Sequence, residues 1–115
     1  MLEFIKNLFG GDQGFETLDD EAFAEKLKGT EKPIILDVRS RMEHKEEKLH
    51  NALNIDVMSP NFVERLKHMD KDKPYFVYCK SGNRSKRACK MMAKEGFTEL
   101  YNLKGGIIAW SGKTV

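Results

Sequence analysis

Two short apolar runs constrain the fold of this chain more than any other feature. Residues 33–38 (Pro-Ile-Ile-Leu-Asp-Val) and residues 74–78 (Pro-Tyr-Phe-Val-Tyr) are nearly continuous in apolar side chains. Runs of this kind read as strands buried on both faces. Helical segments alternate with them. Asp19 caps a helix that runs through Lys28 and places Phe23 and Leu27 one turn apart. Ser59-Pro60 starts a second helix, with proline at its first position and Phe62, Leu66 and Met69 on the buried side. A third, over residues 85–95, puts Ser85, Ala88, Cys89, Met92 and the following Gly96 on one face. Shorter strands are expected over 15–18, 52–55 and 98–103. Residues 40–48 read as a charged, exposed helix and loop, and Gly105-Gly106 open a last short helix ending near Trp110. The order predicts an α/β domain with a central, mostly parallel five-stranded sheet and helices on both faces.

With 115 residues the chain makes one domain and needs no disulfide staple. Leu2, Ile5, Leu8 and Phe9 share a helical face, and Gly10, Gly11 and Gly14 surround Asp12 and Gln13. Residues 1–14 are therefore expected to be an amphipathic arm and a glycine-rich linker, with the domain over 15–115. No apolar run approaches the roughly 20 residues of a membrane span. The first residues are too weakly positive for a signal peptide. Two cysteines, Cys79 and Cys89, then suggest reduced thiols in the cytoplasm. His44, His50 and His68 show no metal-ligand spacing, and neither a metal nor a cofactor is expected. His44 and His68 read as solvent-exposed.

Cys79 follows the strand at 74–78 and opens the loop Cys79-Lys80-Ser81-Gly82-Asn83-Arg84-Ser85 ahead of a helix. Backbone N–H groups of such a loop and of a helix start converge on an anion. A thiolate held there has its pKa lowered and becomes a nucleophile. Ser81, Gly82 and Asn83 permit the curl, and Ser85 reads as the helix cap or a hydrogen-bond partner of the sulfur. Between positions 80 and 94 there are six basic residues and no acid, while the rest of the chain sums to −4. This positive field favours a small anionic substrate, with Lys80 and Arg84 binding it and lowering the thiol pKa. No aromatic interleaving or nucleic-acid motif accompanies the cluster, so nucleic acid is not an expected partner. Cys89, on the apolar helix face, reads as a packed core residue.

The chain resembles a single-domain rhodanese, a sulfurtransferase, over roughly residues 15–112. Leu36-Asp37-Val38-Arg39 with Glu43 looks like the family's first signature. His50-Asn51-Ala52-Leu53-Asn54-Ile55 looks like a degraded form of its second, with Leu49 where glycine is usual and the proline-glycine pair missing. Residues 78–85 look like its active loop, and Gly96-Phe97, residues 103–106 and Trp110 like its closing pattern. The resemblance implies a rhodanese-like three-layer sandwich and a persulfide on Cys79. It implies a small anionic donor such as thiosulfate and a thiophilic acceptor, which could be cyanide, a thiol or a protein cysteine. It also implies a supporting role for Asp37, Arg39 and Glu43, with Arg39 paired to an acid such as Glu43, and a structural one for His50.

Two other readings stay open at this point. Cysteine phosphatases and arsenate-type reductases are similar, but the related phosphatases carry five residues between cysteine and arginine, and this loop has four. A noncatalytic binding module of the same family is the other; such modules typically lack the cysteine. Mercaptopyruvate competes with thiosulfate as donor, and the oligomeric state is open.

Overall fold

The computed structural model describes residues 13–115. The amphipathic arm expected at the start of the chain, and the first linker residues, lie outside the described residues. Five strands, β1 (Glu16–Leu18), β2 (Ile34–Asp37), β3 (Leu53–Asn54), β4 (Pro74–Tyr78) and β5 (Glu99–Leu103), alternate with five helices: α1 (Asp20–Lys28), α2 (Arg41–Glu46), α3 (Phe62–Leu66), α4 (Asn83–Lys94) and α5 (Gly106–Ala109). The strands form one sheet in the order β1-β5-β4-β2-β3, and every pairing in it is parallel.

Side chains alternate across the strands, so the apolar runs feed two cores. Leu36, Val38, Tyr75, Val77, Cys79 and Leu100 face one side, where Phe62 and Leu66 of α3 and Ala88, Cys89 and Met92 of α4 cover them. Phe76, Tyr78, Tyr101 and Leu103 face the other, against Phe23 of α1. Phe23 meets Phe76 and Trp110 edge-on, with ring centroids 5.4 and 5.7 Å away.

Local chemistry explains the helix starts. The Asp19 carboxylate accepts from the Ala22 N–H, as expected for a cap. Ser40 and Glu43 close a reciprocal capping box around the start of α2. Two starts differ from the sequence reading. The helix expected from Ser59-Pro60 begins at Phe62, because Ser59 and Pro60 are spent on a turn in which Phe62 N–H donates to the Ser59 carbonyl. Helix α4 begins at Asn83, with the left-handed Gly82 (φ 105°) at its cap. Ser85 is therefore inside the first turn and not the cap.

The topology decides where a ligand can sit. The chain leaves β2 toward β3 on one side and leaves β4 toward β5 on the other. A crevice thus opens at the carboxyl ends of β2 and β4. Asp37 and Arg39 stand at the end of β2, and Cys79 stands at the end of β4. Gly106 lets the loop after β5 press on this place. A Cβ there would lie 2.3 Å from the Lys80 carbonyl oxygen and 2.6 Å from that of Cys79, so only glycine fits.

Candidate active site

Cys79 is 1% exposed, and its sulfur sits inside the loop. Gly82 N–H donates to Sγ at 3.1 Å, and the Ser85 hydroxyl lies 3.3 Å from it. Burial works against the thiolate. The hydrogen bonds from the Ser85 hydroxyl and from the Ser85, Gly82 and Ser81 N–H groups outweigh that cost and hold the thiol below its ordinary range. The direction matches the sequence reading, but the leading cause is a ring of hydrogen bonds and not Lys80 and Arg84. It follows that Ser85→Ala moves the pH midpoint of Cys79 alkylation upward. The rate of iodoacetamide labelling against pH measures it, and an unmoved midpoint would overturn this account.

The pairing of the charged residues also differs from expectation. Arg39 does not pair with Glu43. Its Nε and Nη2 reach the two carboxylate oxygens of Asp37 at 2.9 and 2.7 Å, and Nη2 also donates to the Glu47 carbonyl. Asp37 and Arg39 are both buried, and two residues of extended chain bring them onto one side. Arg84, expected to face the donor, is instead clamped by Glu43 through two parallel hydrogen bonds of 2.9 Å. The capping box orients Glu43, holding one of its oxygens on the Ser40 N–H. The clamp spans the carboxyl ends of the two strands and fixes the far end of the Cys79 loop to α2.

Arg84 holds the Glu43 carboxyl down at about 2, with help from Ser40. A depressed carboxyl contributes stability that is complete above its ordinary value and lost as pH falls toward the folded one. Glu43→Gln should therefore flatten the part of the acid-unfolding curve between about 4.5 and about 2. Tryptophan fluorescence against pH would follow it, and an unchanged curve would refute the clamp.

Two contributors escaped the sequence reading. His44, expected to be solvent-exposed, is half-buried, with Nδ1 2.8 Å from Asp37 Oδ2. Asn54 donates to the carbonyls of Asp37 and Arg39 at 2.9 and 3.0 Å, tying β3 to the end of β2. Nothing in the spacing of His44 pointed to Asp37, since a helix cap and a turn intervene; Asn54 stood only in the degraded second signature.

Lys80 and Asn83 are exposed, as is Ser81. Lys80 lines an acidic cleft with Arg39, Glu43, Glu46, Glu47, Ile107 and Ile108. His50 lies elsewhere, exposed, in a cavity with Leu27, Ile35 and Trp110. His68 is exposed, as expected. Cys89 is fully buried, and burial pushes its thiol up, out of the reactive range. Both cysteines are free. Among the described residues no group of acids, histidines and cysteines could hold a metal ion, and no helix is long and apolar enough to cross a membrane.

Comparison with known proteins places this architecture. A solved rhodanese-related protein from Thermoplasma volcanium superposes with a TM-score of 0.75 at 27% identity, over 88% of this chain and 98% of its own. The chain is 32% identical to a protein named sulfurtransferase from Allochromatium vinosum, covering 82% of this chain and 86% of that one. It is 35% identical to a thiosulfate sulfurtransferase from Coxiella burnetii, covering 67% and 70%. It also matches a tRNA uridine(34) hydroxylase from Cytophaga hutchinsonii at 34% identity, covering 73% of this chain and 28% of that longer protein. The family model described as the rhodanese-like domain matches residues 20–113. With that match over most of its length, on a parallel sheet with a cysteine loop at the end of its central strand, the chain belongs to the rhodanese-like domain family.

Proposed function

We propose that the protein is a sulfurtransferase that carries a sulfane sulfur on Cys79. The observation that carries this reading is the Cys79 sulfur held by the Gly82 N–H at 3.1 Å and the Ser85 hydroxyl at 3.3 Å, in a pocket that favours the thiolate. The thiolate attacks the outer sulfur of a small anionic donor such as thiosulfate. The bond between that sulfur and the sulfonate breaks, and sulfite leaves with the electron pair. The resulting Cys79 persulfide keeps its negative charge, which the loop N–H groups stabilise in place of the thiolate. An acceptor nucleophile then attacks the outer sulfur. Cyanide leaves as thiocyanate and a thiol as its persulfide, and the Cys79 thiolate is restored with no net oxidation of the protein. The two half-reactions make the kinetics ping-pong.

The charged residues divide the work. Lys80, exposed and next to Cys79 in the chain, draws the anion. Arg84 and Glu43 fix the loop so that its N–H groups keep aim. Asp37, Arg39, His44 and Asn54 brace the strand end beneath it. The relatives named as sulfurtransferases support this reading. The tRNA uridine(34) hydroxylase it matches is a longer protein, of which this chain covers 28%, and its name adds nothing to this reading.

Intact mass after incubation with thiosulfate, beside Cys79→Ala, tests it. Wild type should gain one sulfur atom and lose it to cyanide, and the variant should gain none. No gain in wild type with thiosulfate or mercaptopyruvate would refute sulfur transfer. Hydrolysis of an aryl phosphate, abolished by Cys79→Ser, would revive the phosphatase reading.

A further inference from the structure

A second cavity, of about 420 Å³, lies against the Cys79 loop and shares no lining residue with the acidic cleft. Ser81 and Asn83 form one wall, with Lys86 of α4 beside them. Lys104, just past β5, and Thr17 of β1 form the other, and Asn102 of β5 lies between. The cleft on Arg39 and Lys80 carries three glutamates, whereas no carboxylate lines this cavity. It holds two ammonium groups, two hydroxyls and two amides. The sulfur chemistry uses neither lysine.

Asn102 gives the independent sign of a ligand. Its side chain leaves the sheet on the α4 face, opposite Tyr101 and Leu103, and it is 2% exposed. Among the described residues, Asn102 Oδ1 is the buried side-chain polar atom with no hydrogen-bond partner. Its Nδ2 reaches the Thr17 hydroxyl only at 3.4 Å. A buried amide oxygen left this way has given up its hydrogen bonds to water without replacing them, so a partner is called for. Rotated by half a turn, the amide accepts from the Thr17 hydroxyl, and its NH₂ becomes the group that needs an acceptor. Oxygen and nitrogen of an amide are interchangeable in shape.

We infer that this cavity is an anion site for a phosphate-type oxyanion, free or at the end of a larger molecule. Residues that carry donors line it from α4, the Cys79 loop and β1, and from β5 and the segment after it. A tetrahedral dianion accepts from all of them, and lysines serve it as point charges. The cavity is larger than one phosphate, which leaves room for the group that carries it.

Amide spectra of the whole chain, titrated with inorganic phosphate and with phenyl phosphate against chloride at constant ionic strength, test the site. Saturable shifts are expected at the Asn102 side-chain amide, Ser81 and Lys104. Binding should weaken at least tenfold in Lys86→Ala/Lys104→Ala and in Asn102→Leu, and persist in Cys79→Ser. The lysines are exposed, so the double variant carries the test even if Asn102→Leu fails to fold. Tighter binding of phenyl phosphate assigns the site to a carried phosphate, and equal binding assigns it to the free anion. Shifts that grow without saturation, that chloride reproduces, or that vanish in Cys79→Ser would overturn the site. The last result would place the anion on the cysteine itself.

Discussion

Serine in place of Cys79 is expected to lower thiosulfate:cyanide turnover by on the order of 10³-fold or more while leaving the fold intact. The hydroxyl is nearly isosteric with the thiol and can still meet the Gly82 N–H and the Ser85 hydroxyl, so the loop keeps its shape. What it cannot do is carry sulfur. A serine oxygen near neutral pH is protonated, and it forms no stable bond to a sulfane sulfur. Steady-state thiocyanate formation measures the loss, and circular dichroism checks the fold. Because Cys89 is buried and its thiol is pushed up, it cannot substitute. Turnover retained within tenfold of wild type would remove Cys79 from the centre of the mechanism.

The largest loss of stability is expected from Asp37→Ala. Asp37 is fully buried, and its partner Arg39 is 5% exposed. Removing the carboxylate leaves a guanidinium that cannot shed its charge and cannot reach water. Breaking one half of a buried pair costs about 3–5 kcal/mol. For a domain of this size that is a fall in Tm of roughly 10–20 °C. The Asp37 carboxyl is held below its ordinary value because the hydrogen bonds from Arg39 and His44 outweigh its burial. The pair is thus intact at neutral pH. Asp37→Leu combined with Arg39→Met should recover much of the lost stability, since it removes both charges. Differential scanning calorimetry on the three proteins decides the matter. An Asp37→Ala protein that melts within a few degrees of wild type would mean that the hydrogen bond Arg39 already makes to the Glu47 carbonyl is enough to hold the guanidinium.

Much of the fold was legible because its signals are local. The strand at Pro74–Tyr78 appears with its predicted bounds, and Asp19 caps its helix through a contact three residues away. The apolar face of α4 is buried at Ser85, Ala88, Cys89 and Met92, as the helical period requires. The sheet is wholly parallel where a mostly parallel one was expected, since each strand returns through a crossover. The helix starts were harder. Ser59-Pro60 and Ser85 have the composition of caps, but a turn claimed the first and the sulfur of Cys79 claimed the second.

What the sequence determined by itself was the class of fold, the position of Cys79 at the carboxyl end of a strand, and the loop of small residues that lets N–H groups surround a sulfur. Those follow from period, propensity and glycine freedom over a few neighbouring residues. Only the tertiary structure decided which charges meet. Arg39 took Asp37 and Arg84 took Glu43, forty-one residues away, because partner choice depends on where strand ends and helix caps aim their side chains. The same holds for His44 on Asp37, for the acidic cleft, and for the lysines gathered around Asn102. Coulomb attraction pairs any opposite charges within reach, and the folded backbone sets the reach.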